Sequence, residues 1–227
     1  MKSILSWDAD GVIFDGTMKI LARVFGESLH LKYGIPIEQG TRYMYDTTGT
    51  PTATQYRNFL SERTLLPSNP TEADALIAGL VKDFTEDAYA EMPSLCPDVM
   101  LALPYLKGRK MAISTNAPQA VLDRRVRYHG LDEYFHSWFG KTEETPDKKQ
   151  HKVPIMRLFQ VTGDEFTRYG ALIGDGYKDM EIAKEWEILG IGRKTEDNTE
   201  EGLMNAGAIA VVRDLRELPE LLNRLFG

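Results

Sequence analysis

A single cysteine, Cys96, stands among 227 residues. It can form no intrachain disulfide and no cysteine-built zinc site. Histidine is also scarce. His30, His129, His136 and His151 are scattered, and no pair falls at a metal-ligand spacing. No apolar run reaches the length of a membrane-spanning helix. The run at Ile4, Leu5 and Trp7 is broken by Asp8 and is too short for a signal-peptide core, which makes the cytoplasm the default location. Internal repeats and low-complexity tracts are lacking. Positive charge is in deficit: 27 Lys and Arg against 34 Asp and Glu give a net charge of −7. Such a chain is poorly suited to generic binding of DNA, RNA or an anionic membrane. A small anionic substrate is not excluded, because one local site can be positive or hold a metal.

What is present is ordinary for a globular protein. Hydrophobic residues make up 42% and charged residues 27%, which excludes wholesale disorder. At roughly 150 residues per domain the length gives about 1.5 domains. That means one large domain, or a core with a smaller insertion; monomer and homodimer both stay open.

The apolar run Ile4-Leu5-Ser6-Trp7 ends in Asp8-Ala9-Asp10-Gly11 and reads as a buried strand entering a glycine turn. Ile20, Leu21, Val24, Phe25 and Leu29 then recur at helical spacing, as do Ala73, Leu76, Ile77, Leu80, Val81, Phe84 and Ala88. Residues 17–93 therefore read as helical, without a strand. From about Pro93 the pattern alternates. Short runs at Met111–Ser114, Trp138–Phe139, Ala171–Ile173, Ile188–Leu189 and Ile209–Val212 are separated by helical stretches at 98–106, 154–161, 180–186 and 215–225. Alternation of this kind predicts an α/β fold, a Rossmann-like doubly wound parallel sheet. The first strand belongs with the later ones. The predicted domains are an α/β core of 1–16 and 94–227, with 17–93 inserted as an all-α second domain.

Ligands bind such a sheet at the carboxyl ends of its strands. The strand ends here deliver Asp8 and Asp10, then Ser114, Thr115 and Asn116, then Asp175 and Asp179. A lysine group, Lys148, Lys149 and Lys152, precedes a predicted helix. Converging carboxylates repel one another, and a hard divalent cation relieves that repulsion. Oxygen ligands without histidine or thiol favour Mg²⁺. Hydroxyl, amide and lysine donors nearby suit phosphoryl oxygens, so the set points to phosphoryl transfer. Each motif alone has a plainer reading: an acidic turn, a helix cap, a solvated lysine face. Their joint occurrence at successive strand ends is what carries the inference.

Trp7-Asp8-Ala9-Asp10-Gly11-Val12-Ile13-Phe14-Asp15-Gly16, Ile113-Ser114-Thr115-Asn116 and Ile173-Gly174-Asp175-Gly176-Tyr177-Lys178-Asp179 resemble the first, second and fourth motifs of the haloacid dehalogenase superfamily. Within it, the chain is similar to phosphatases with a helical cap, in a layout like that of phosphoglycolate phosphatases. The resemblance implies a Mg²⁺-dependent phosphatase acting on a small phosphorylated metabolite through an aspartyl-phosphate. Asp8 would be the nucleophile and Asp10 the general acid and base. Thr115 and Asn116 would hold phosphoryl oxygens, and a motif-three lysine would offset charge. Asp8, the Asp10 carbonyl, Asp175 and Asp179 would hold the metal. Asp10 fits an oxygen leaving group that needs a proton, unlike dehalogenases.

The Lys-Pro pair usual in motif three is missing. Lys152 is favoured because it precedes a good helical phase, with Lys149 and Lys148 as alternatives, and Ser114 is the alternative to Thr115. Gly16 replaces a common serine, and Glu187 stands where glycine is common. The loop Thr47-Thr48-Gly49-Thr50 resembles the family's substrate-specificity loop or is an ordinary turn. Arg23, Arg42 and Arg57 read as surface residues, and Tyr33, Tyr43, Tyr45 and Tyr56 as packing. A sugar phosphomutase would use the same residues. A phospho-Asp signalling module also carries an Asp pair, Ser/Thr and Lys, but the Asp8/Asp10 spacing and the insertion argue against it.

Overall fold

The computed structural model describes residues 3–48 and 50–227. The strands are β1 (Ile4–Trp7), β2 (Phe14–Asp15), β3 (Ser94–Leu95), β4 (Lys110–Pro118), β5 (Ser137–Lys141), β6 (Gly170–Gly174), β7 (Leu189–Arg193) and β8 (Ala208–Val212). The helices are α1 (Thr17–Tyr33), α2 (Ile37–Asp46), α3 (Thr52–Ser61), α4 (Pro70–Ala90), α5 (Val99–Leu106), α6 (Gln119–Tyr128), α7 (Lys152–Phe159), α8 (Gly163–Tyr169), α9 (Tyr177–Glu185), α10 (Glu200–Ala206) and α11 (Leu218–Phe226). They fall into two compact units, one of 1–15 with 94–227 and the other of 16–93.

The first unit is a six-stranded sheet in the order β5-β4-β1-β6-β7-β8. Its paired strands run parallel. β1 lies between β4 and β6, with Leu5 opposite Met111 on one side and Ala171 on the other. Helices cover both faces, and because side chains alternate between the faces the central strands β1 and β6 are buried along their whole length. Leu5, Trp7, Met111, Ile113, Ala171 and Ile173 enter one hydrophobic cluster with α5 and α11 residues such as Leu103 and Leu222. Ile4, Ala112 and Leu172 enter the other, with Ile155, Phe166, Ile182 and Trp186. This is the predicted doubly wound α/β core.

After β1 the chain proceeds outward to β4 and β5, then returns to β6 on the opposite side of β1. The carboxyl ends of β1, β4 and β6 therefore flank a topological switch point. Two further features were not predicted. β2 and β3 pair antiparallel, Phe14 with Leu95 and Asp15 with Ser94, which brings together the two points where the chain leaves and re-enters this unit. Two-residue strands carry no periodic signal. β4 also runs on through Thr115–Pro118, a stretch that reads as a loop, because its pairing with β5 is irregular between Ser114 and Pro118.

The second unit holds α1 to α4. Its core is aromatic: Phe25 stacks on Tyr56 with ring centres 4.3 Å apart, and Phe59 and Phe84 meet Phe25 edge-on. Tyr33, Tyr43 and Tyr45 pack against this cluster, as expected of packing residues. Asn69 caps α4 by accepting from the Thr71 N–H at 2.9 Å, and Pro70 opens the helix. Arg23 pairs with Glu27 and Glu91, Arg42 with Asp46 and Arg57 with Asp74, all partly or largely exposed. Gly49 of the candidate specificity loop, like the N-terminal Met1 and Lys2, lies outside the described residues. No helix among the described residues is long and apolar enough to cross a membrane.

Candidate active site

Asp8 is the first residue after β1, and its N–H donates to the Ile173 carbonyl at 2.8 Å. Asp175 directly follows β6, and Asp179 lies in the first turn of α9. One carboxylate oxygen from each of Asp8, Asp175 and Asp179 lies within 4.8 Å of the others. The backbone allows this approach at two glycines. Gly11 has φ +75°, and a Cβ there would meet the Asp175 Oδ2 at 2.0 Å. A Cβ on Gly174 would meet the Asp179 Cβ at 2.4 Å.

Lys148 closes the cluster. Its Nζ donates to the Asp8 Oδ1 at 2.6 Å and to the Asp179 Oδ1 at 2.6 Å, and the residue is buried. Asn116 fixes the turn behind it by accepting from the Lys148 N–H at 3.0 Å. Asp179 Oδ2 accepts from the Gly176 N–H at 3.0 Å. The Asp175 carbonyl accepts from the buried Asn198 amide at 2.8 Å. Asn198 also holds the Arg193 carbonyl, while the Arg193 guanidinium binds Asp98 at 2.8 Å and the Val12 carbonyl. This network ties the Asp175 loop, the end of β7 and the first turn together.

Three carboxylates beside one ammonium leave an excess of negative charge. Burial pushes the Asp8 carboxyl well above the usual range against the pull of Lys148, with Asp179, Asp175 and Asp10 adding to the rise. Burial, then Asp179 and Asp10, push Asp175 up to about 7. Burial draws the Lys148 ammonium down, but Asp179 and Asp8 more than reverse this and it stays charged. A donor set of hard carboxylate oxygens that resist ionising together fits a divalent cation of the Mg²⁺ kind.

The lysine preference needs correction. Lys152 is the first residue of α7, and among the described residues no ion pair joins it to the three carboxylates. Lys149 turns outward to Glu185 at 3.1 Å. Lys148 reaches the carboxylates because a 3-10 turn, Lys148–His151, precedes α7. The Asp147 side chain caps this turn through the Lys149 N–H, and an Asp before the lysines was the available signal. Thr115 is buried, with its hydroxyl accepting from the Ala117 N–H at 3.2 Å. The Ser114 hydroxyl is instead engaged with His151 Nδ1 at 2.9 Å. His151 is fully buried, and burial followed by Lys148 lowers it to about 4. The Asp10 carboxylate stands outside the triad and pairs with Arg125 at 3.0 Å. The roles of Arg125, His151, Arg193 and Asn198 were not read from the sequence: Arg125 and Arg193 lie on a helix and a strand without a motif, Asn198 lies in a loop, and His151 is a lone histidine beside the lysines.

A sheet with its acids at the central strand ends defines a class, and comparison with known proteins places the chain within it. The model of the haloacid dehalogenase-like hydrolases matches residues 3–185. The chain belongs to that hydrolase family. No curated protein matches it. Similar solved structures include a haloacid dehalogenase-like hydrolase from Streptococcus pneumoniae, 16% identical, with TM-score 0.78 over 97% of this chain and 98% of the other. A structure described as a predicted phosphatase from Clostridium acetobutylicum is 20% identical, with TM-score 0.76 over 99% and 100%. CbbY from Rhodobacter sphaeroides, solved in complex with phosphate, is 18% identical, with TM-score 0.72 over 96% of each chain. At these identities the likeness is one of fold.

Proposed function

We propose that the chain is a Mg²⁺-dependent phosphatase that hydrolyses a small phosphomonoester through an aspartyl-phosphate on Asp8. The observation that carries this reading is Lys148 bridging Asp8 and Asp179 at 2.6 Å each, beside Asp175. The family and the phosphatase and phosphate-bound neighbours support it.

The carboxylates of Asp8, Asp175 and Asp179, with the Asp10 carbonyl, would hold the cation. When bound, it neutralises charge between the acids and a phosphoryl group. The Asp8 carboxylate attacks phosphorus in line, and the ester oxygen leaves. Asp10 gives that oxygen its proton, then takes one from the water that attacks the aspartyl-phosphate. Lys148 stays charged and balances the charge spread over the phosphoryl oxygens. Thr115 and the side-chain N–H group of Asn116 donate to those oxygens. The Asn116 carbonyl oxygen is meanwhile occupied in holding Lys148.

The test is phosphate release from a panel of phosphomonoesters, with Mg²⁺ or with chelator, by the native chain and by Asp8→Asn. Release that needs Mg²⁺ and vanishes in Asp8→Asn is the expected result. Isomerisation of a sugar phosphate without phosphate release would replace hydrolysis with mutase chemistry. Release that survives in Asp8→Asn would overturn the mechanism.

A further inference from the structure

Arg125 lies on α6 with its side chain buried. Its helix neighbours Leu122 and Val126 belong to the hydrophobic cluster on that face of the sheet. A guanidinium among such residues is costly unless an acid meets it. Its Nη1 donates to the Asp10 Oδ1 at 3.0 Å. Its guanidinium carbon lies 5.5 Å from the centre of the Phe14 ring. Phe14 belongs to the same turn as Asp10: the Gly11 N–H donates to the Phe14 carbonyl at 2.9 Å, and the Phe14 N–H to the Ala9 carbonyl at 2.8 Å. Arg125 is thus braced against the turn whose acid it grips. The Asp10 side chain remains 35% exposed, so it is open to a reactant.

We infer that Arg125 is a positioning residue for Asp10, holding Oδ1 so that Oδ2 faces the ester oxygen. The inference rests on the phosphatase reading above. The arginine has one carboxylate oxygen and leaves the other for proton transfer. As the Asp8–phosphorus bond forms and the phosphorus–ester bond breaks, the proton on Oδ2 passes to the departing oxygen. Asp10 is then a carboxylate paired with Arg125. In the second half of the reaction Oδ2 takes a proton from the attacking water, and the acid is restored. A swinging acid would lose orientation without losing its chemistry. The contribution of Arg125 is therefore greatest for leaving groups that depend on a well-aimed proton.

The experiment compares kcat/KM for para-nitrophenyl phosphate and phenyl phosphate in the native chain, Arg125→Met and Arg125→Lys, with Mg²⁺ present. Nitrophenolate leaves with little help, whereas phenolate needs more. Well-placed acids contribute on the order of a hundredfold or more, so Arg125→Met is expected to lose roughly ten- to a hundredfold on phenyl phosphate. Its loss on para-nitrophenyl phosphate is expected to be only about two- to threefold, since little proton transfer is needed there. Arg125→Lys keeps the charge with a shorter reach and falls between native and Arg125→Met, with the same selectivity. Equal losses on both esters, or none, would overturn the positioning role, since general damage to the fold does not sense the leaving group. If Arg125→Met fails to fold, Arg125→Lys alone decides: a loss confined to phenyl phosphate supports the inference and a uniform loss overturns it. If the native chain releases phosphate from neither ester, the phosphatase reading fails first and takes this inference with it.

Discussion

Lys148 and Lys152 lie four positions apart and have opposite fates. Lys148 is buried between two carboxylates, whereas Lys152 opens a helix. Lys148→Ala is expected to lower kcat by on the order of a hundredfold or more, the scale of a lost electrostatic stabiliser. Lys152→Ala is expected to stay within about threefold, as is usual for a group that does not touch the reacting atoms. Steady-state kinetics on one ester separates them, and the reverse ranking would restore Lys152. Helical phase pointed to Lys152 because it registers only where a helix begins. It says nothing of a non-periodic turn that brings an earlier side chain inward. The acids were legible for the opposite reason: Asp8 and Asp175 each directly follow an apolar strand, where chain direction fixes their place. His151 gives a second prediction at this scale. Burial lowers it from 6.5 to about 4, so the unfolded chain takes up its proton first as pH falls. The stability it contributes is complete above pH 6.5 and is lost as pH falls toward 4. Between pH 7 and 5 this amounts to about 2 kcal/mol. Thermal melts at both pH values should show a smaller drop in Tm for His151→Gln than for the native chain. Equal drops would mean that His151 is not the responsible group.

At the scale of elements, the site depends on how closely β6 and α9 approach. A Cβ on Gly174 would lie 2.4 Å from the Asp179 Cβ and 2.6 Å from its Cγ. Neither a strand end nor the first turn of a helix yields that far without moving Asp179. Gly174→Ala is therefore expected to cost about 1–3 kcal/mol of stability, as overpacking does. It should also raise the Mg²⁺ concentration needed for half-maximal activity, read from a metal titration. An unchanged titration would show that Asp179 is not held by this contact. Glu187 shows another element-level constraint. It stands where glycine is common and keeps a glycine-like backbone, with φ 60°, at the bend between α9 and β7. Long strands and helices were legible because burial on both faces or one face imposes a period. β7 was only half read: the apolar pair Ile188–Leu189 falls at its start, and glycines at 190 and 192 with Arg193 disguise the rest. α8 was missed because its seven residues carry caps, with Thr162 and Glu165 forming a capping box, but little apolar pattern.

At the scale of the whole molecule, the chain divides into two units whose apolar residues pack separately. The 16–93 unit has its own aromatic core, and every proposed catalytic side chain belongs to the unit of 1–15 and 94–227. That division was legible because a long helical stretch separates one strand from the rest of its sheet. The pairing of β2 with β3, which brings the ends of the insertion together, was not legible, since two residues are too few to show a pattern. The acidic balance of −7 coexists with a site that gathers still more negative charge, and under the proposed function a cation together with Lys148 would offset that charge for a phosphate ester. The central claim is that this sheet edge moves a phosphoryl group onto Asp8. Its most direct test is acid-quenched turnover with Mg²⁺ and a hydrolysed ester, followed by mass analysis of the peptide that carries Asp8. A phosphoryl group on Asp8 in the native chain, and none in Asp8→Asn, is the predicted result. Continued phosphate release with Asp8 never phosphorylated would contradict it.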